Sequence, residues 1–156
     1  MSFIATAPTP PANERDRITN DAFWPDVSLA EAREALRTDG TVIDPRLRHA
    51  LITAMIETAR DLTQYKHDRL AEGYATLTDV PGEQIDGVPL VQHSYLRAVY
   101  CYAKADLIER LRDFDTAGAG QKRVDWLDDS PDEQRRNAAW AITQILNRPR
   151  CTVELI

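Results

Sequence analysis

The sequence predicts a mainly α domain with minor β structure. Three observations carry that reading. Apolar residues recur at spacings of three and four through several long windows. Pro and Gly gather between those windows, where they punctuate the chain. Only one segment, Cys151 to Ile156, alternates with period two. About four helices are expected, the second and third long, with a flexible N-terminal arm, a small hairpin or extended loop, and a short C-terminal strand. The 156 residues, 43% hydrophobic and 28% charged, suit one globular domain with its own core.

Residues 1–20 read as a flexible arm ahead of a single domain over 21–156. Pro8, Pro10 and Pro11 remove donors and fix φ there. Phe23-Trp24-Pro25 then sets two large aromatics beside a helix breaker. Burying them would pin the arm either to the domain itself or to a neighbour.

Ser28-Leu29-Ala30-Glu31 has capping-box spacing and opens a short helix to about Arg37, ended by or before Gly40. Asp44-Pro45 opens the second helix, with Asp44 as the cap and Pro at the first helical position. Leu47, Leu51, Ala54, Met55, Thr58, Leu62 and Tyr65 make one stripe along it. Ile52, Ile56 and Ala59 make a second apolar face in its first half. Gly73 is a natural stop, so a single helix of about 27 residues is expected.

Residues 74–90 hold Pro81, Gly82, Gly87 and Pro89 between two short apolar runs. A hairpin and an extended loop fit equally. The third helix runs from about Val91 to Asp113. Leu96, Val99, Tyr100, Ala103, Leu107, Leu111 and Phe114 lie on one of its faces, and Ala98, Cys101, Ala105 and Ile108 on another. Residues 115–127, with Gly118 and Gly120, read as a polar linker. Ser130-Pro131-Asp132-Glu133 combines a Ser cap, Pro at the first position and Glu at the third. The fourth helix then runs to about Asn147 and buries Ala138, Ala139, Ile142, Ile145 and Leu146. The terminal strand needs a partner: the 74–90 region, another subunit or another protein.

No catalytic constellation is visible, and no cofactor or metal is expected. His49, His67 and His93 lack partners at metal-ligand spacing. Gly118-Ala119-Gly120-Gln121-Lys122-Arg123 fails as a phosphate loop, because Gln121 separates Gly from Lys and no Ser or Thr follows. Lys122 and Arg123 belong either to a plain linker or to a contact loop for a partner or for DNA phosphates. Arg148 and Arg150 are either a solvated helix end or a basic clamp at an interface. Cys101 reads as a small core residue. The formal net charge of −6 argues against a whole-surface DNA binder. Two cysteines and no membrane-length apolar run fit a soluble protein, with no secretory pattern over Met1 to Asn13.

Several segments resemble the head-completion proteins (gpL type) of temperate contractile-tailed bacteriophages. They are Phe23-Trp24-Pro25-Asp26, Pro45-Arg46-Leu47-Arg48, Leu77-Thr78-Asp79-Val80-Pro81, Ile85-Asp86-Gly87, Tyr95-Leu96-Arg97-Ala98-Val99, Trp140-Ala141-Ile142 and Arg150 to Ile156. The match is collinear from about residue 20 onward. None of these motifs is catalytic; their order and spacing carry the likeness.

The resemblance implies a structural, non-enzymatic virion protein at the portal vertex or neck, assembled in the bacterial host cytoplasm. It would be a connector or adaptor subunit, forming a homo-oligomer ring of about twelve copies closed by head-to-tail contacts. Its partners would be its own copies, the portal protein, tail terminator or neck proteins, and the packaged double-stranded DNA in the channel. No membrane is involved. It would bind after DNA packaging, retain the genome and offer the tail a surface. Candidate subunit or portal contacts are Phe23, Trp24, Cys151, Thr152, Val153, Glu154, Leu155 and Ile156. Candidate DNA or portal contacts are Lys122, Arg123, Arg148 and Arg150. The competing reading is a DNA-recognising small terminase-type packaging subunit, which would need a helix-turn-helix with a basic recognition helix.

Overall fold

The computed structural model describes residues 16–38, 42–115 and 130–149. Their order is β1 (Arg17–Ile18), β2 (Val27–Ser28), α1 (Leu29–Leu36), α2 (Asp44–Asp61), α3 (Thr63–Ala71), a 3-10 turn (Leu77–Asp79), β3 (Gln84–Ile85), β4 (Val88–Pro89), α4 (Leu90–Asp115) and α5 (Pro131–Ile145). The fold is mainly α, as the periodicity predicts. α4 lies at its centre and packs against both α2 and α5. That sandwich explains why α4 carries two apolar faces. Ala98, Val99, Ala103, Ala105, Leu107 and Ile108 are all buried.

Residues 1–15 of the expected arm lie outside the described residues; its last five residues are part of the fold. β1 pairs antiparallel with β2, Arg17 opposite Ser28 and Ile18 opposite Val27. Asp16 reaches the start of α1, where its carboxylate accepts from Ser28 Oγ at 3.0 Å and from Ala30 N–H at 3.1 Å. Ser28 Oγ in turn accepts from Glu31 N–H at 3.2 Å. Two side chains thus serve donors that a helix start leaves unpaired. α1 ends one turn before Gly40, at Arg37, which takes the left-handed conformation with φ 53°.

The second helix differs from expectation at both ends. Ile43 caps it without a side-chain bond, and Asp44 is its first helical residue. The Asp44 carboxylate instead meets Arg33 at 2.6 Å, and Arg33 also donates to Val42 O at 2.9 Å. These bonds tie α1 to the start of α2. The long helix breaks at Leu62, with φ −103° and ψ 12°, and α3 continues beyond. Leu62 is fully buried. The Thr63 hydroxyl donates to Arg60 O at 2.8 Å and Ala59 O at 3.0 Å, holding carbonyls that the interrupted ladder releases. Burial of Leu62 and capture of those carbonyls favour two shorter helices over one straight one. The apolar spacing continues through the break and does not reveal it.

A hairpin occupies part of 74–90. Gln84 faces Pro89 and Ile85 faces Val88. Asp86 and Gly87 both have positive φ, 53° and 71°, as an Asp-Gly two-residue turn requires. The apolar run from Leu77 forms the 3-10 turn instead of a strand, with Thr76 and Asp79 bonded to each other across its start.

α5 begins at Pro131 as expected, but Ser130 makes no side-chain cap bond. Ala141, not Ala139, completes its buried stripe with Ala138, Ile142 and Ile145. Asn147 then turns left-handed with φ 51°, and Arg148 N–H donates to Thr143 O at 2.9 Å. The expected strand over 151–156 and most of the linker over 115–127 lie outside the described residues.

Candidate functional site

Phe23 and Trp24, read as interface candidates, are spent on the chain's own core. They are 2% and 3% exposed. Trp24 stacks on Tyr95 with centroids 4.8 Å apart and rings 8° from parallel. Phe23 meets Trp24 edge-on, also at 4.8 Å. Asp21 builds the turn that delivers them, its carboxylate accepting from Phe23 N–H at 2.9 Å and Trp24 N–H at 3.2 Å. Lys66 of α3 closes an ion pair with the same carboxylate. Burial alone would raise the Asp21 pKa, but the Lys66 ammonium and the two N–H donors outweigh it and hold the group below its ordinary value. Asn20 Nδ2 donates to Tyr95 Oη at 2.9 Å, and Leu77 N–H donates to Phe23 O at 2.9 Å. The aromatic pair therefore knots the N-terminal segment, α3, the 3-10 turn and α4 together. Both rings lie almost wholly within the chain.

The remaining perturbed groups do not converge. Burial pushes the phenols of Tyr95, Tyr100 and Tyr102 up to about 12. Burial also raises the Cys101 thiol, against the pull of Arg97 and Lys104, which is the opposite of an activated nucleophile. His49, His67 and His93 are exposed and lie on α2, α3 and α4. His93 Nε2 lies 2.9 Å from Ile85 O and so ties α4 to the hairpin. Among the described residues no three His, Cys, Asp or Glu side chains are placed to share a metal ion. None of the described helices is long and apolar enough to cross a membrane.

What the described surface does offer is apolar. Ile52 is 39% exposed and Ile56 65%, one turn apart on the outside of α2. These residues belong to the second apolar face legible in the sequence, and the described residues leave them exposed. Ile43, Leu70 and Ile85 are exposed as well. A groove of about 320 Å³ beside α2 is lined by Val42, Pro45, His49 and Leu107 with the basic rims Arg46 and Arg110. A larger one, about 810 Å³, lies between α3, the segment before the hairpin, the start of α4 and the end of α5. Arg148 is exposed on the rim of that second groove. Lys122, Arg123, Arg150 and Cys151 to Ile156 lie outside the described residues. Of the candidate contacts, Phe23, Trp24 and Arg148 alone lie among the described residues. The grooves and the outer face of α2 went unread as surfaces, because the sequence marks apolar faces without saying what covers them.

These features define a mainly helical protein with exposed apolar residues and grooves on its described surface. The comparisons make the class specific. The family model "Phage head completion protein (GPL)" matches residues 18–156, and the chain belongs to that family. It is 38% identical over 146 residues to the head completion/stabilization protein of Escherichia phage P2, covering 94% of this chain and 86% of that one. The chain is thus a structural protein of the phage head. No solved structure matches it.

Proposed function

We propose that this chain completes the phage head by docking at the portal vertex once DNA is packaged. There it retains the genome and presents the surface on which the tail assembles. It acts by contact and not by catalysis. Family membership carries the reading, and the uncovered Ile52 and Ile56 face of α2 supports it. A subunit that functions only among neighbours leaves such a face for them. Copies joined head to tail close into a ring if the rotation closes, and the resemblance implies about twelve of them.

Residues 151–156 supply the second contact, as a strand added to an edge on a neighbouring copy or on the portal. Lys122, Arg123, Arg148 and Arg150 position DNA or meet the portal. The net charge of −6 gives the channel walls little grip on phosphates, so DNA can slide past.

The test is co-sedimentation of the purified chain with tail-less capsids, filled and empty, followed by imaging of the portal vertex. An extra ring on filled heads is the expected result. A chain that binds neither head, but binds free duplex DNA with steep salt dependence, is a packaging subunit of the small terminase type instead.

A further inference from the structure

We propose that the β3–β4 hairpin of one copy seats in the groove beside α2 of the next, joining copies of this chain head to tail. The contact rests on the proposed role, in which copies meet in that way, but its test needs no capsids.

The hairpin is a preformed knob. Every residue from Pro81 to Gly87 is exposed, and Ile85 next to the turn is 58% exposed. An apolar side chain held that far into water gains by burial. Asp86 and Gly87 fix the turn, with φ 53° and 71°. Leu90 N–H donates to Glu83 O at 2.9 Å, and His93 Nε2 lies 2.9 Å from Ile85 O. A tip held in place this way loses little freedom on docking. The knob is also acidic. Between Glu72 and Arg97 the chain carries Asp79, Glu83 and Asp86 and no Lys or Arg.

The groove beside α2 is the complement. Val42 and Leu107 are buried in its floor, and Pro45 is exposed on its wall. Arg46, His49 and Arg110 edge it. Asp106 is the one acid among the described lining residues, and it pairs with Arg110 at 2.9 Å. Two arginines against one aspartate leave the lining positive, in a chain whose net charge is −6. The volume of about 320 Å³ suits one or two side chains, as a hairpin tip supplies, and not a helix. Pro45, His49, Ile52 and Ile56 follow one another at helical spacing, so the groove opens onto the exposed isoleucines of α2. No Asp or Glu lies between Pro45 and Ile56. A neighbour seated by its hairpin therefore meets apolar and basic surface throughout.

Knob and groove of one chain do not reach each other. The hairpin joins α4 at Leu90, whereas α4 lines the groove from Asp106 to Arg110. A rise of about 1.5 Å per residue puts about 25 Å between Leu90 and Leu107. The bonds from Glu83 and Ile85 hold the hairpin at its own end of α4. A knob and a hole toward opposite ends of one helix repeat from copy to copy, and close into a ring if the rotation closes.

Disulfide trapping tests the contact. The full chain carries Ile85→Cys together with Pro45→Cys in a thiol–disulfide buffer, and linkages are mapped by peptide mass to separate them from Cys101 and Cys151. A 45–85 disulfide between copies is expected, giving a ladder of dimers, trimers and larger species. Arg46→Glu in the same chain should slow its formation at least about tenfold, and added salt should slow it as well. Asp86→Asn keeps a turn-forming residue, removes one carboxylate from the knob and should also slow it. No 45–85 linkage at the highest soluble concentration overturns the proposal. So does a linkage whose rate neither Arg46→Glu nor Asp86→Asn changes, which is random collision, and so does a linkage formed within one chain. A trapped ladder from a chain that fails to load onto filled heads upholds the contact and overturns the head-binding role instead.

Discussion

Trp24 and Asp21 show how much of this fold hangs on a few residues before α1. Trp24 fills the space between Phe23 and Tyr95, so Trp24→Ala should cost about 3–5 kcal/mol in urea unfolding. Trp24→Phe should cost much less, because it keeps an aromatic ring and removes an indole N–H that finds no partner among the described residues. Asp21 gives a pH signature. Its folded pKa lies below the ordinary 3.8, so its contribution is present above that value and fades as pH falls through the folded one. At 47% exposure the effect is modest. The melting temperatures of the native chain and of Asp21→Asn should differ at pH 6 and converge as pH falls below the folded value. The sequence exposed the aromatic pair and its adjacent Pro, yet left open whether the domain or a neighbour buries it. Nothing in the local pattern measures the distance to Tyr95, which is 71 residues further along the chain.

The longer helices were legible as apolar stripes, while their ends were decided by contacts far away in sequence. α2 illustrates both halves of that statement. Leu47, Leu51, Ala54, Met55 and Thr58 are buried as their spacing requires. Asp44 looks like a cap but is drawn to Arg33, and the break at Leu62 depends on burial that periodicity does not encode. The two-residue pairing of β1 with β2 is too short to leave any alternation in the sequence. The outer face of α2 carries its own prediction. Ile52→Ser with Ile56→Ser removes apolar surface that the single chain does not bury. Thermal stability should shift by no more than about 0.5 kcal/mol per site. Sedimentation with DNA-filled heads should nevertheless be lost. Variants that unfold would instead place this face in the chain's own core, against its exposure of 39% and 65%.

For the molecule as a whole, the central question is how a chain with adhesive elements waits for its template. The exposed isoleucines and the terminal segment both favour association, and a net charge of −6 opposes it by mutual repulsion between copies. In the proposed role, the portal vertex overcomes that repulsion by presenting many sites at once, since each linked contact raises the effective concentration of the next. Removing residues 151–156 tests the part that the segment plays in attachment. The truncated chain should keep its helical circular dichroism, because all five described helices end before residue 146. Loading onto DNA-filled heads, read as co-sedimented protein per head, should drop to background. If the truncated chain loads normally, the segment has no part in attachment, and the outer face of α2 must supply the contact alone.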